Sequence, residues 1–340
     1  MYTQYFGLEK KPFSIALEPE FIYMSTPHQE ALAHLLYGTE NDGCIVLLTG
    51  DVGTGKTTLC RCMVDRLPEH TEYALVLNPS LTITELLKTI CEEFGVSAPS
   101  HPVSNKVYID LLNRYFLTAH AAGKNCILII DEAQNLELDV LEQLRLLTNL
   151  ETDNQKLLKI VLLGQSELRD TLRGEQLAQI NQRITTRYHL HPLPADEVKN
   201  YINHRIVLAG GPGISLFSRK AIHHIIVSSR GIPRIINLIC NQALLGAYAG
   251  SKERVTATIA KTAAGEVLKG PPAPLSSRQR PVVITLFLVL LACLVLFFFM
   301  TGKINSVATL FSQNTSWISA QKNPDNIQDN MQKTSTTKGK

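Results

Sequence analysis

The octapeptide Gly50-Asp51-Val52-Gly53-Thr54-Gly55-Lys56-Thr57 constrains this chain more than any other feature. It satisfies GxxxxGK[ST], directly after the apolar run CIVLLT and before TTLCRCMVDRL, which has helical character. Glycines in such a loop let the backbone curl until its N–H groups and the following helix N-terminus face an anion. Lys56 is then placed to neutralise phosphate charge and the Thr57 hydroxyl to ligate magnesium. Residues Gly50, Asp51, Val52, Gly53, Thr54, Gly55, Lys56, Thr57 and Thr58 are the candidate nucleotide-binding set.

A strand, loop and helix of this kind need neighbours, and the sequence supplies them. Over residues 44–193 the apolar runs CIVLLTG, YALVLN, NCILIID, KIVLLG and RYHLHPL alternate with amphipathic stretches such as 83–94 and 138–150. Continuous apolar strands alternating with helices predict an α/β fold, a parallel sheet covered on both faces as a three-layer sandwich. After Pro194 the strands stop, and helical patterns near 195–209, 218–229, 233–249 and 256–268 predict a small all-α lid. The expected domains are therefore 1–193, including the N-terminal segment, and 194–269.

The second chemical signal is the apolar strand CILII followed by Asp131 and Glu132, 75 residues after Lys56. Asp131 is placed to hold magnesium, and Glu132 to orient and polarise an attacking water. Gln165, after KIVLLG, is a candidate to orient that water or contact the γ-phosphate. Arg183 and Arg187 precede or enter the last strand, and either suits an arginine finger facing a neighbouring subunit, with Arg183 the first choice. In Arg230-Gly231-Ile232-Pro233-Arg234, Gly and Pro set a helix start with Arg234 in its first turn, where the helix dipole disfavours a cation. A phosphate ligand accounts for that placement. The pairs His189/His191 and His223/His224 lack the further ligands of a metal site, and Cys60 and Cys62 read as packing residues. The N-terminal Phe6, Pro12, Phe13 and Phe21 suit either a wall for the adenine or a cap on the core.

The mean hydropathy of +0.04 reflects one segment, VVITLFLVLLACLVLFFFM at 282–300, whose nineteen residues hold a single polar side chain, Thr285. At about 1.5 Å per residue it is long enough to cross a hydrocarbon core of roughly 30 Å, so 282–301 is expected to be a transmembrane helix. Residues 270–281 form a Pro/Ser linker with Arg278 and Arg280 as a positive collar, and the polar tail 302–340 is expected to be disordered. Removing the five Lys and two Asp after residue 302 from 33 basic and 30 acidic residues leaves 28 of each, a neutral body that argues against bulk nucleic-acid binding. Seven scattered Cys without a CxxC pair fit reduced thiols.

Together these residues resemble the AAA+ ATPases: P-loop, Asp-Glu strand, polar residue after the next strand, arginine before the fifth, and a lid with Gly-x-Pro-Arg. More closely, Tyr5-Phe6-Gly7-Leu8, Lys11-Pro12-Phe13, HQEALAHLL at 28–36, Asp131-Glu132-Ala133-Gln134-Asn135-Leu136 and Gly164-Gln165-Ser166-Glu167-Leu168 resemble the ExeA or general secretion pathway protein A family over residues 1–268. The resemblance implies a homo-oligomeric ATPase using ATP and Mg2+. It also implies an anchor in the bacterial inner membrane with the ATPase in the cytoplasm and the tail in the periplasm. Such a protein works with an inner-membrane partner in assembling a type II secretion secretin or, in related proteins, a type IV pilus. Fuller family members carry a periplasmic peptidoglycan-binding domain, which the 38 polar residues 303–340 do not supply, so direct wall binding is not expected. The rival readings are a DNA-remodelling AAA+ protein of the transposition or replication-initiation type, and a nucleotide-dependent scaffold with little turnover.

Overall fold

Each predicted apolar run forms a strand: β1 Ile45–Gly50, β2 Thr71–Val76, β3 Asn125–Ile130, β4 Lys159–Gly164 and β5 Ile184–Leu190. The computed structural model describes residues 1–269, except Leu17, Asn41, Asp42, Asn78, Ser100, Pro102, Asp153 and Asn154, together with Phe297. The strands pair in parallel in the order β2-β3-β4-β1-β5. β5 starts three residues before the run RYHLHPL, because β-branched Ile184, Thr185 and Thr186 extend it, and it stops ahead of Pro192 and Pro194.

The helices are α1 Tyr2–Tyr5, α2 Thr26–Glu40, α3 Lys56–Val64, α4 Ile83–Glu93, α5 Asn105–Ala121, α6 Leu138–Leu147, α7 Ser166–Leu172, α8 Ala178–Arg183, α9 Ala195–Leu208, α10 Arg219–Ser229, α11 Pro233–Ala249 and α12 Ala257–Lys269. Their starts carry ordinary signals. Thr82 and Glu85 form a reciprocal capping box at α4, Ser218 caps α10, and Pro233 opens α11.

Successive side chains of a strand point to opposite faces, and the two faces fill separately. Ile45, Leu47, Leu128, Ile130, Ile160 and Leu162 pack with α4, α5 and α6. Val46, Leu48, Ile127, Ile129, Val161 and Leu163 pack with α2 and α3. This is the expected three-layer arrangement, and its apolar strands lack alternation because both faces are covered.

A third cluster joins α9, α10, α11 and α12 to the N-terminal segment, burying Phe6, Phe13 and Phe21 among Ile202, Ile206 and Ile236. The N-terminal segment, which precedes the sheet in sequence, packs on the helical lid. Arg205 of α9 holds it there. Its guanidinium donates to the carbonyls of Pro12 (2.5 Å) and Ser14 (3.1 Å) and to the Tyr201 hydroxyl (3.2 Å), and lies 4.8 Å from the centre of the Phe21 ring.

Among the described residues no helix is long and apolar enough to cross a membrane. The expected linker, transmembrane run and tail at 270–340 lie outside the described residues, Phe297 excepted.

Since Arg205 is only 6% exposed, its removal takes a donor from the buried Pro12 carbonyl and from the half-buried Ser14 carbonyl. We expect Arg205→Ala to lower stability by about 3 kcal/mol in urea unfolding, and Arg205→Lys to recover only part of the loss. Limited proteolysis should cut first within residues 1–24 of either variant.

Candidate nucleotide site

All parallel strands end on the same edge of a sheet, so β1, β3 and β4 deliver Gly50, Asp131 and Gln165 to one rim. The P-loop fills the space between β1 and α3. Gly55 has φ of 109°, and a Cβ there would sit 2.9 Å from His28 Nε2; Gly53 has φ of 83°. Both positions favour glycine for their backbone and for space as well.

Lys56 is 6% exposed and bends back over the loop, its ammonium donating to the Gly50 carbonyl (2.8 Å) and the Asp51 carbonyl (3.1 Å). Burial lowers its pKa, against the opposing pull of Glu132 and Asp131. The Thr57 hydroxyl donates to Asp131 Oδ2 at 2.5 Å, and the other Asp131 oxygen accepts the Glu132 N–H at 2.8 Å. A hydroxyl and a carboxylate in contact are hard oxygen donors of the kind magnesium takes. Among the described residues no group of three or more His, Cys, Asp or Glu is placed to hold a metal, so these two oxygens suit an ion whose remaining ligands are phosphate and water.

Glu132 lies in the left-handed region, φ 53°, which redirects its side chain as the chain leaves β3. Its Oε2 accepts from Gln134 Nε2 at 2.6 Å and from Gln165 Nε2 at 3.4 Å. Gln134 was missed as a site residue. It lies in the string at 131–136, but an amide two positions past a carboxylate carries no spacing signal of its own.

The lid and the N-terminal segment close the other side of a cleft of about 640 Å³, whose walls include Ile15, Tyr23, Met24, Tyr201 and Arg234. Of the aromatic residues flagged in the sequence, Phe6 and Phe13 are buried in the lid core, and Phe21, buried with them, also lines the cleft. Arg234 approaches because its N–H donates to the Gly53 carbonyl at 3.2 Å, and a Cβ on Gly53 would meet the Arg234 Cβ at 2.6 Å. Thr26 and the Tyr23 hydroxyl bind Glu197 of α9, and burial together with that bond pushes the Tyr23 phenol up to about 12. His28, also missed, reaches the loop itself. Its Nε2 lies 3.0 Å from the Thr54 carbonyl, which can only accept, so Nδ1 is the unprotonated nitrogen and accepts from the Ser25 hydroxyl at 2.6 Å.

Arg183 is not brought to this rim. It immediately precedes Ile184, which is in register with Ile45 at the far end of β1, whereas Leu190 is in register with Gly50. Five residues of strand at about 3.3 Å each separate the two ends. Arg183 donates to the Thr148 hydroxyl at 2.7 Å, and the more exposed Arg187 to the Asn181 carbonyl at 2.6 Å. His189 hydrogen-bonds the Thr49 hydroxyl at 2.9 Å, with His191 edge-on beside it. Cys60 is buried, and that burial pushes its thiol up to about 12, as befits a packing residue.

Comparison with known proteins bears on this geometry directly, since the AAA domain family matches residues 39–172. The chain carries an AAA domain. Over 267 residues it is 49% identical to general secretion pathway protein A of Aeromonas hydrophila, an alignment covering 78% of this chain and 48% of that protein. The resemblance read from short strings thus extends over most of the chain, which itself spans about half the length of that relative. Among solved structures, Cdc6p of Pyrobaculum aerophilum is similar at 17% identity and a TM-score of 0.56, covering 76% of this chain and 71% of that one. The Aeropyrum pernix ORC2 protein in its ADPNP–ADP complexes matches at 18% and 0.53, covering 76% and 72%. The ORC1 protein of the same organism, in complex with DNA, matches at 19% and 0.54, covering 74% and 68%. At these identities the likeness is one of fold. The AAA domain and these neighbours make this an ATPase fold with a nucleotide-binding cleft.

Burial lowers the His28 pKa, so the folded AAA domain keeps the ring neutral where the unfolded chain takes up a proton near pH 6.5. The unfolded state therefore binds more protons below that pH, and stability, complete above it, falls as the pH drops toward the folded value. The charges acting on the ring come from Glu197, with Ser25 and the Thr54 carbonyl as its contacts. Urea unfolding at pH 7.5 and 5.5 should show a smaller loss in His28→Gln than in the wild type.

Proposed function

We propose that this chain is a membrane-anchored AAA+ ATPase that couples ATP hydrolysis to assembly of a bacterial envelope complex, a type II secretion secretin or a type IV pilus. The observation that carries the chemical part is the convergence of Lys56, Thr57, Asp131, Glu132 and Gln165 on one rim of the sheet, beneath a lid that touches the loop through Arg234. The client is suggested by the 49% identity to general secretion pathway protein A.

In this reading ATP enters the cleft with its phosphates against the loop N–H groups and the N-terminus of α3. Lys56 exchanges the Gly50 and Asp51 carbonyls for phosphate oxygens. Thr57 and Asp131 would hold magnesium, which when bound would supply charge neutralisation on the phosphates. Glu132 polarises the attacking water, Gln165 contacts the γ-phosphate, and Arg234 reports its presence to the lid. Arg183 lies too far along the sheet to serve its own nucleotide, and that supports its assignment as the finger supplied to the next copy in a homo-oligomer.

The run at 282–300 is the proposed single inner-membrane span, embedded in the lipid bilayer, with the ATPase cytoplasmic and the tail periplasmic. An inner-membrane partner protein works with the ATPase in this reading. The likeness to origin-recognition proteins is one of fold, and the neutral body gives the DNA-remodelling reading no added support.

Two experiments on the full-length protein in detergent or nanodiscs test this. Lys56→Ala should weaken ATP binding at least tenfold, whereas Glu132→Gln should bind normally and lose turnover by about a hundredfold or more. Wild-type turnover in Glu132→Gln would contradict the assignment. In mixtures shown to co-assemble, Arg183→Ala and Lys56→Ala subunits should together recover activity that neither has alone. Failure to recover would shift the finger to Arg187.

A further inference from the structure

Gln134 does more than sit beside the candidate base. Its side-chain amide spans two elements: Nε2 donates to Glu132 Oε2 at 2.6 Å, and Oε1 accepts the backbone N–H of Gln165 at 3.0 Å. The orientation of the amide is set by chemistry, since a backbone N–H can only donate and must face the amide oxygen. The adjoining residue of β4, Gly164, leaves room for the bridge, because a Cβ there would meet Gln134 Oε1 at 3.1 Å. The Gln165 side chain returns to the same Glu132 oxygen at 3.4 Å, closing a ring of three side chains between the end of β3 and the end of β4. Glu132 Oε1 receives no hydrogen bond among the described residues.

A carboxylate on a flexible side chain has several rotamers, and ordering it costs on the order of 1 kcal/mol or more. Here one oxygen is pinned by two amide donors and the other is left for water. We infer that Gln134 is a positioning residue that clamps Glu132 through Oε2, aims Oε1 at the attacking water, and ties that aim to Gln165. This rests on the reading of the cleft as an ATP-hydrolysing site. In that reaction the water oxygen forms a bond to the γ-phosphorus as the bond to the β–γ bridging oxygen breaks and its electron pair leaves with ADP. The water proton passes to the Glu132 carboxylate and then to phosphate. Gln134 touches none of these atoms. It acts only through Glu132 and the Gln165 it tethers, so its removal should alter the chemical step and leave nucleotide binding in place.

The test uses full-length protein with Mg-ATP and two variants: Gln134→Met, which keeps length but has no donor, and Gln134→Asn, whose amide is one carbon too short. Both should lower kcat roughly tenfold or more while leaving the nucleotide Kd within about twofold of the wild type. The decisive readout is single-turnover hydrolysis by Glu132→Gln with and without Gln134→Met. If Gln134 acts by positioning Glu132, the second substitution adds less than about a twofold loss once that carboxylate is gone. A kcat within twofold of wild type in Gln134→Met, or a full repeat of the drop on the Glu132→Gln background, would overturn the clamp. Intact wild-type turnover abolished by Glu132→Gln but spared by Gln134→Met would sink the clamp alone, whereas absence of wild-type turnover would sink the hydrolysis reading with it.

Discussion

The parallel register of β1, β3 and β4 is the constraint on which the rest depends. Val46 and Ile129 both face Val161 across their ladders, so the three strands advance together and end together. A loop that curls after Gly50, a carboxylate pair after Ile130 and an amide after Gly164 then arrive at one rim without further instruction. Shifting any of these strands by one residue would send its apolar side chains to the wrong face and displace its functional residue by about 3.3 Å. Two separately filled cores, one on each face, hold the register against that slip.

The second layer of organisation is the strap from Pro12 to His28, which belongs by packing to the lid and by hydrogen bonding to both sides of the cleft. Arg205 fixes its first half to α9, Glu197 fixes Tyr23 and Thr26, and His28 grips the Thr54 carbonyl of the P-loop. The lid therefore meets the loop along two routes, the strap and the Arg234–Gly53 backbone contact. A ligand that repositions the loop carbonyls changes both contacts at once.

Much of this was legible in the sequence, for reasons that differ by element. The strands were found because burial on both faces makes them continuous apolar runs, and the lid helices because each buries one stripe. The rim residues were found because their motifs sit at strand ends, where a parallel sheet collects them. The packing of the strap was left open: Phe6, Phe13 and Phe21 follow no period, and prolines separate them, so their partner on α9 could not be read from spacing. Gln134 and His28 escaped because each acts through a contact between elements distant in sequence or out of register with any motif. The far-end position of Arg183 follows from its place ahead of a parallel strand, although only the register with Ile45 makes that a distance.

In the proposed reading this rim holds a nucleotide with a divalent ion between Thr57 and Asp131. Manganese substituted for magnesium reports on it most directly, because its paramagnetic resonance shows hyperfine coupling to phosphorus when phosphate oxygens are ligands. With full-length protein and a non-hydrolysable ATP analogue, we expect one bound ion per chain, coupled to phosphorus, and loss of that signal in Asp131→Ala. Manganese bound equally well without nucleotide, or a spectrum unchanged in Asp131→Ala, would overturn that assignment of the rim.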